Sequence, residues 1–295
     1  MAVVAPASGC SANELERGIT ELRRLGFDAV YSPAVAGRGL FSAGTPAERA
    51  GDFLAAWSDA SVSALVALRG GYGSAQILPL LDAGAIAASP KVFVGYSDTT
   101  AILTWLTCHA GLTALHGPMV DRRLSRGPDG YDEASFVHLL RGDVPLDLPC
   151  PGGVVLREGE AAGPLFGGTL TQLTASLGTP YAFAPPEGCV LFLEDVNERP
   201  YRIHRMLTQL VQAGLIARAR AIVLGEMPGC HDSGDGTPTS VEAARDALAA
   251  FNGPMLAGFP SGHTRGACVS LPLGTTVRVR ALGEPSIRVE ESPVA

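Results

Sequence analysis

The sequence predicts an α/β protein with a parallel sheet in its first half and a second region that is richer in strands. Two observations support this prediction. Short apolar segments alternate with segments of helical period along the first half of the chain, which is typical of a parallel sheet covered by helices. The 295 residues are 46% hydrophobic and 17% charged, so a large core can form.

The alternation begins with the strand MAVVAP and the helix SANELERGITELRRLGF. Ser11 and Glu14 have the spacing of a capping box at the start of this helix, and Gly26 stands where a C-terminal cap is expected. A second helix, TPAERAGDFLAAWSD, begins at Thr45 with Glu48 three residues later, a second capping-box spacing. The remaining segments are the strands DAVYSP, ALVALRG and KVFVG and the short helix SAQILPLLDA.

The rhythm changes at residues 141–164, where proline and glycine are frequent and no helical period is visible. This segment is predicted to connect an N-terminal α/β domain at 1–140 with a C-terminal mixed, β-rich α/β domain at 165–295. The predicted elements of the later part are the strands CVLFLE, AIVLGE, PMLAGFP and TTVRVRAL and the helices PYRIHRMLTQLVQAGL and SVEAARDALAAF.

Composition argues against several classes of function. The formal net charge of −7 and the lack of a Lys/Arg cluster argue against a nucleic-acid partner. No apolar run approaches the roughly 18 residues that span a membrane, and the start MAVVAPASGC has no basic segment typical of a signal peptide, so a cytoplasmic protein is expected. The six cysteines form no CxxC pair and the six histidines do not cluster with them, so neither a metal site nor a cofactor is predicted.

The segment KVFVGYSDTT places Ser97 where a buried strand turns into a helix. A hydroxyl there projects beyond the carboxyl end of the sheet, and the N–H groups that follow begin a helix, which suits a nucleophile with half of an oxyanion hole. Thr99 occupies the position of the second glycine of G-x-S-x-G, so an ordinary α/β-hydrolase is not indicated. On this segment alone, Ser97 could equally be a helix cap.

A second strand end, ALRGGYGS, has three glycines in four positions. It does not match a P-loop, so it is interpreted either as a tight turn or as a backbone that offers an oxyanion N–H at Gly71. A serine nucleophile also needs a base and an acid. His263 follows a predicted strand on a short loop, and Glu194 ends an apolar strand, with Asp195 and Glu198 as alternative acids.

Taken together, these segments resemble the LD-carboxypeptidase family of serine peptidases, which includes muramoyltetrapeptide carboxypeptidases and microcin C immunity peptidases. The resemblance rests on ordered segments along nearly the whole chain. They are VVAPAS, LRGGYGSAQILPLLD, KVFVGYSDTTAI, LHGPM, GPLFGGTLTQLTASLGTPY, LFLEDVNERPYRIHRMLTQL and GFPSGHT.

The resemblance implies Ser97 as nucleophile, Glu194 as orienting acid and His263 as base, with the backbone N–H groups of Gly71 and Asp98 as the oxyanion hole. It implies an N-terminal flavodoxin- or Rossmann-like domain that carries the serine, a C-terminal domain that carries acid and base, and a homodimer. The implied reaction releases a C-terminal D-amino acid from murein tetrapeptide without a metal, as in cell-wall recycling. Two alternatives stay open at this point, namely an immunity-type peptidase that cleaves a peptidyl-nucleotide and a non-catalytic binding protein of the same fold.

Overall fold

The residues that a computed structural model describes, 1–231 and 238–294, form two sheets and eight α-helices. The helices are α1 (Ala12–Arg24), α2 (Pro46–Ser58), α3 (Ala83–Ala87), α4 (Thr100–Cys108), α5 (Glu133–Arg141), α6 (Leu170–Ser176), α7 (Pro200–Gln212) and α8 (Ser240–Ala247). The strands are β1 (Ala2–Val4), β2 (Val30–Tyr31), β3 (Ala64–Ala67), β4 (Val92–Gly95), β5 (Ala114–His116), β6 (Leu146–Pro149), β7 (Val154–Arg157), β8 (Gly159–Thr169), β9 (Cys189–Glu194), β10 (Ala219–Gly225), β11 (Met255–Phe259), β12 (Leu271–Leu273), β13 (Thr276–Ala281) and β14 (Ser286–Val289).

The first sheet has the strand order β12-β5-β4-β3-β1-β2. Its first five strands in sequence are parallel, and β12 adds an antiparallel edge beside β5. The order 2-1-3-4-5 is that of flavodoxin-like sheets, which bind ligands beyond the carboxyl ends of their strands. The predicted parallel α/β sheet is thereby confirmed, and its carboxyl edge is where a site is expected.

The second sheet is mixed, with the order β6-β14-β13-β8-β9-β10-β11-β7. Its centre is parallel from β8 to β11, whereas the other pairs are antiparallel. The predicted mixed, β-rich α/β region is therefore confirmed as a fold class. The parallel strands again bring their carboxyl ends to one edge, which carries the ends of β8 and β9.

Local sequence signals account for the ends of the helices. The capping boxes predicted for α1 and α2 are both present, with Ser11 bonded to Glu14 and Thr45 to Glu48. Gly26 follows the C-cap of α1 with a φ of 89°, a left-handed conformation that glycine adopts without a steric penalty. The predicted short helix SAQILPLLDA is a 3₁₀ helix at Ser74–Leu80 instead, and it contains a proline that would interrupt an α-helix.

Residues 141–164 contain more regular structure than the sequence indicated. Strands β6 and β7 and the start of β8 lie there, and they pair with β14, β11 and β13 of the second sheet. Their proline- and glycine-rich sequence hides the alternation of a strand. Conversely, β12 lies in the C-terminal part of the chain but pairs with β5 of the first sheet. The domain boundaries at residues 140 and 164 stay a prediction.

Strand β9 is buried on both faces. Val190 and Phe192 belong to a cluster that also contains the core of the first sheet, whereas Leu191 and Leu193 pack into a second cluster with α6 and α7. A strand covered on both sides is continuously apolar, which explains the segment CVLFL. Because side chains alternate, Glu194 shares the face of Phe192, which is the face toward the first sheet.

Gly167 keeps β8 close to β9. Its φ is 138°, and a Cβ at this position would lie 1.9 Å from the carbonyl oxygen of Phe192. That oxygen belongs to the neighbouring backbone and cannot rotate away. The close pairing of the two strands, which places the ends of both at one edge, therefore requires glycine here.

We expect Gly167→Ala to lower the free energy of unfolding by about 3 kcal/mol or more, because it combines a disfavoured φ with a backbone clash. Gly178→Ala is the matched control, since Gly178 has a φ of 83° but no heavy atom within 4 Å of an added Cβ. It should cost only about 1 kcal/mol. Urea unfolding followed by circular dichroism measures both, and equal losses would contradict the role given to the clash.

Candidate active site

Ser97 stands in a strained turn directly after β4. Its φ is 62°, a left-handed value that is uncommon for any residue other than glycine. The turn is held by the Thr99 hydroxyl, which donates to the carbonyl oxygen of Tyr96 at 2.8 Å. Within the described residues, neither the 3₁₀ turn Ser97–Thr99 nor α4 has a side-chain capping bond. The capping interpretation of Ser97 thus has no hydrogen bond to support it, whereas the strained strand-to-helix turn is the geometry of a nucleophile elbow.

The glycine turn after β3 lies against Ser97. A Cβ at Gly70 would be 3.1 Å from the Ser97 Oγ and 3.3 Å from the backbone nitrogen of Asp98. Gly71 is exposed and has a φ of 86°, and Ser8 supports the turn by accepting the N–H of Tyr72 at 3.1 Å. Glycine at position 70 therefore leaves free the space beside the hydroxyl and the Asp98 N–H.

Asp98 is anchored rather than free to move. Its Oδ2 accepts the backbone N–H of Ser74 at 2.8 Å, and its carbonyl oxygen accepts the Ser74 hydroxyl at 2.5 Å. Its Oδ1 also accepts the amide of Gln172 at 3.4 Å, a bond that reaches from the first sheet to α6. The backbone segment that carries Ser97 and the Asp98 N–H is consequently fixed from two sides.

Glu194 and His263 are joined by two hydrogen bonds. The Oε2 of Glu194 accepts two N–H groups of His263, the ring Nδ1–H at 2.8 Å and the backbone N–H at 3.0 Å. An ionised carboxylate only accepts hydrogen bonds, so Nδ1 carries the proton and Nε2 is left as the acceptor. Glu194 is 0% exposed, whereas the side chain of His263 is partly open to solvent.

Thr169 completes the surroundings of Glu194. Its hydroxyl, at the end of β8, donates to the other carboxylate oxygen, Oε1. Burial by itself would raise the pKa of Glu194, but the charge and hydrogen bond of His263, with further contributions from His116 and Thr169, lower this pKa to about 2. The buried carboxylate is therefore ionised at neutral pH.

The two alternative acids lie in different surroundings. Asp195 accepts the backbone N–H and hydroxyl of Thr171, both at 2.8 Å, at the first turn of α6, and burial raises its pKa to about 6. Glu198 accepts a hydrogen bond from Arg202 at 3.4 Å in the first turn of α7. Neither has a hydrogen bond to His263 among the described residues. Of the three carboxylates, only Glu194 contacts the imidazole.

A second imidazole lies behind Glu194. His116, at the end of β5, is fully buried, and its Nδ1 lies 3.1 Å from the hydroxyl of Ser261. Its Nε2 lies 3.9 Å from Glu194 Oε1 and has no hydrogen-bond partner in the described structure. Burial lowers the pKa of His116 to about 4, so this ring is neutral at pH 7.

The carboxyl edges of the two sheets meet at this point. The ring of Tyr96, the residue before Ser97, packs edge-on against the ring of His263 with centroids 5.1 Å apart. The backbone N–H of Thr169 donates to the Thr100 hydroxyl at 3.2 Å. The turn of Ser97 from the first sheet therefore lies next to the His263–Glu194 pair from the second, with the Tyr96 ring as the observed contact between them.

Several residues of this site were not identified from the sequence. Ser8, Thr169 and His116 lie in segments that carry the family resemblance, VVAPAS, GPLFGGTLTQLTASLGTPY and LHGPM, but none of the three was given a role. Arg123 gave no signal, because its partners lie on distant parts of the chain.

Two cavities differ in their relation to the site. A groove of about 890 Å³ opens at the amino-terminal edge of the first sheet, beside Met1, Lys91 and Pro293, and none of the site residues lines it. A smaller apolar pocket of about 220 Å³ lies between α4 and α6 and includes Gln172, which contacts Asp98. The chemistry lies at the opposite edge of the sheet from the larger groove.

The described residues contain neither a cluster of metal ligands nor a membrane-spanning helix. No group of three or more His, Cys, Asp or Glu side chains in the described ranges has the arrangement needed to hold a metal ion. Among the helices formed by residues 1–231 and 238–294, none has both the length and the apolar character required to cross a bilayer.

Family models match both halves of the chain. The LD-carboxypeptidase N-terminal domain matches residues 1–117, and the LD-carboxypeptidase C-terminal domain matches residues 162–279. The first match contains Ser97 and the second contains both Glu194 and His263.

Curated relatives agree with this assignment. A putative carboxypeptidase of Streptomyces coelicolor is 37% identical over 289 residues, which cover 95% of this chain and 90% of the relative. The murein tetrapeptide carboxypeptidase of Pseudomonas aeruginosa is 34% identical over 273 residues, with coverage of 89% and 87%.

Solved structures show the same architecture. A muramoyltetrapeptide carboxypeptidase from Oxalobacter formigenes superposes with a TM-score of 0.87 at 28% identity, covering 99% of this chain and 100% of the other. The microcin C7 self-immunity protein MccF in complex with glutamyl sulfamoyl guanosine has a TM-score of 0.89, with coverage of 100% and 96%, but at 23% identity it supports the fold alone. The chain belongs to the LD-carboxypeptidase family and is a serine carboxypeptidase.

Proposed function

We propose that this carboxypeptidase hydrolyses the amide between an L-centre and a C-terminal D-amino acid of murein tetrapeptide, with Ser97, His263 and Glu194 as its triad. The observation that carries the proposal is the pairing of His263 with a buried, ionised Glu194 directly beside the Tyr96–Ser97 turn. This pairing leaves Nε2 of the imidazole as the atom that accepts a proton.

In the proposed reaction, Nε2 of His263 removes the proton of Ser97 while Oγ attacks the carbonyl carbon of the scissile amide. The oxyanion of the tetrahedral intermediate accepts hydrogen bonds from the N–H groups of Gly71 and Asp98. His263 then gives its proton to the departing amine, and D-alanine leaves. Next, His263 takes a proton from a water molecule that attacks the acyl carbon. The bond between this carbon and Ser97 Oγ breaks, the shortened peptide leaves, and His263 returns the proton to Oγ. Glu194 stabilises the imidazolium in both steps.

Substrate, location and assembly belong to the same proposal. The match to murein peptide carboxypeptidases supports murein peptides as the substrate class. A role in cell-wall recycling, a cytoplasmic location and a homodimer rest on the family resemblance of the sequence. A second substrate class is a peptidyl-nucleotide, because the microcin C7 self-immunity protein of Escherichia coli is 28% identical over 303 residues. Both substrates would use the same triad, so substrate assays distinguish them.

Replacement of Ser97 tests the nucleophile. We expect Ser97→Ala to lower kcat/KM on the tetrapeptide by about 10³-fold or more, because the attacking atom is removed while the Cβ stays. The exposed Ser89, in the loop before β4 and at the far end of the first sheet, provides the control Ser89→Ala, which should keep full activity. A folded Ser97→Ala protein with activity near that of the wild type would rule out this nucleophile.

Three carboxylate variants test the choice of acid. Glu194→Gln keeps the size of the side chain but removes the charge that stabilises the imidazolium, so kcat/KM should fall by up to about 10⁴-fold. Asp195→Asn and Glu198→Gln should cost far less, since these residues bind α6 and α7 rather than His263. Activities are measured after circular dichroism has shown that each variant is folded. If Glu194→Gln were the mildest of the three, the acid would be a different residue.

Stereochemistry at the terminal residue tests the substrate class. We expect the tetrapeptide that ends in D-Ala to be trimmed and its L-Ala isomer to stay intact, because inversion exchanges the positions of the methyl and carboxylate groups in the bound peptide. A peptidyl-adenylate analogue is assayed in parallel, and all products are identified by mass spectrometry. Equal cleavage of the two isomers would indicate a general carboxypeptidase, and cleavage of the nucleotide conjugate alone would favour the immunity class.

A further inference from the structure

Arg123 is a buried guanidinium that uses all of its hydrogen-bond donors. The residue is 5% exposed. Its Nε donates to the Tyr96 hydroxyl at 3.3 Å, and its two terminal nitrogens donate to four backbone carbonyl oxygens. Nη1 donates to the carbonyl oxygens of Gly266 at 2.9 Å and Gly130 at 3.3 Å. Nη2 donates to those of Gly262 at 2.9 Å and Thr264 at 3.0 Å. Five N–H groups thus meet five acceptors, the full capacity of an arginine side chain.

Three of these five acceptors belong to the loop of His263. Two of the carbonyls belong to the residues on either side of it, Gly262 and Thr264, and a third belongs to Gly266 in the same loop. The fifth acceptor is the hydroxyl of Tyr96, whose backbone leads directly into Ser97. A single rigid, planar group therefore connects the loop that carries the imidazole to the turn that carries the hydroxyl.

Other bonds also hold parts of the loop that carries His263. The backbone N–H of Gly262 donates to Cys268 Sγ at 3.3 Å and that of Arg265 to Glu226 Oε2 at 3.0 Å. Residues 260–267 form no strand or helix, and Gly262 has a φ of 71°. On its inner side the loop is held by Glu194, through two bonds to His263, and by the contact between His116 and Ser261. Glu194 binds the Nδ1 side of the imidazole and so orients the ring. Arg123 binds the carbonyl oxygens of Gly262 and Thr264, on both sides of His263, and so limits rotation of the His263 backbone.

We propose that Arg123 is a positioning residue that sets the distance and angle between the imidazole of His263 and the hydroxyl of Ser97. The proposal rests on the proposed role of His263 as the base. Lysine could not replace Arg123, because a single ammonium offers three donors from one point and cannot reach carbonyls and a hydroxyl on opposite sides. Misplacement of a catalytic group by about 1 Å can cost about 10²-fold in rate, so the effect is expected in kcat.

The same chain offers a control for a buried cation whose role is only structural. Lys91, immediately before β4, is also buried, and its Nζ donates to the backbone carbonyls of Ala56 and Asp59. It lies at the amino-terminal end of the strand whose carboxyl end leads to Ser97. Lys91→Met therefore removes a buried, carbonyl-bound cation without touching the His263 loop.

The experiment compares wild type, Arg123→Ala, Arg123→Lys and Lys91→Met. Melting temperature, kcat and KM on the tetrapeptide are measured, together with the rate at which a fluorophosphonate labels the active serine. We expect both Arg123 variants to lose about 10²-fold in kcat and in labelling rate, with KM changed by less than about threefold. Lys91→Met should lose melting temperature but keep kcat. Added guanidinium ion, below the concentration that lowers the melting temperature, should restore part of the activity of Arg123→Ala and none of that of Arg123→Lys.

Other outcomes overturn the proposal. A folded Arg123→Lys protein with wild-type kcat would show that the five-bond arrangement does not position the base, and this variant decides the question if Arg123→Ala does not fold. A loss of kcat in Lys91→Met equal to that of the Arg123 variants would show that only stability matters. If the wild type neither hydrolyses the tetrapeptide nor reacts with the fluorophosphonate, the proposed function itself fails. If the wild type is active and the Arg123 variants hydrolyse the tetrapeptide and react with the fluorophosphonate equally fast, the positioning role fails while the proposed function stands.

Discussion

The buried carboxylate of Glu194 is the interaction on which the rest of the site depends. An ionised group with 0% exposure is costly unless hydrogen bonds and charges replace the water it has lost. Two N–H groups of His263 and the Thr169 hydroxyl supply those bonds. Because one carboxylate oxygen accepts both the backbone and the ring of His263, the same contact fixes the loop, the orientation of the imidazole and its tautomer.

The geometry of the two sheets explains why this contact can form. Glu194 ends a parallel strand at the edge where the second sheet meets the first, and the Ser97 turn ends a parallel strand of the first sheet. The close approach of β8 and β9, which only a glycine at position 167 permits, brings Thr169 next to Glu194. Asp98, bonded to both Ser74 and Gln172, then holds the serine turn to elements of both halves. The site is a junction, and either sheet alone would supply only part of it.

The parts of the structure that follow from local sequence were predictable. Capping boxes and the alternation of strands and helices are encoded within a few residues. Positions at or just after the ends of apolar strands made Ser97, Glu194 and His263 candidates, whereas their roles came from the family resemblance and stay a prediction. The strands in 141–164 were missed because prolines and glycines surround them, although β7 itself has the apolar sequence VVLR, and because their partners β14, β11 and β13 lie far along the chain. No role could be assigned to Arg123 from the sequence, because its partners are backbone carbonyls far along the chain. Those of Gly262, Thr264 and Gly266 lie 139, 141 and 143 residues away in sequence.

Direct observation of the acyl-enzyme tests the central claim most directly. The wild type is mixed with a murein tetrapeptide, quenched in acid during turnover, and analysed as intact protein and as proteolytic fragments by mass spectrometry. The mechanism predicts an adduct equal to the tetrapeptide minus D-alanine, esterified to Ser97 and absent when the terminal residue is L-alanine. Two results would contradict this mechanism. One is rapid product formation with no adduct at any quench time, in the wild type or in slow Glu194 variants. The other is an adduct on a residue other than Ser97.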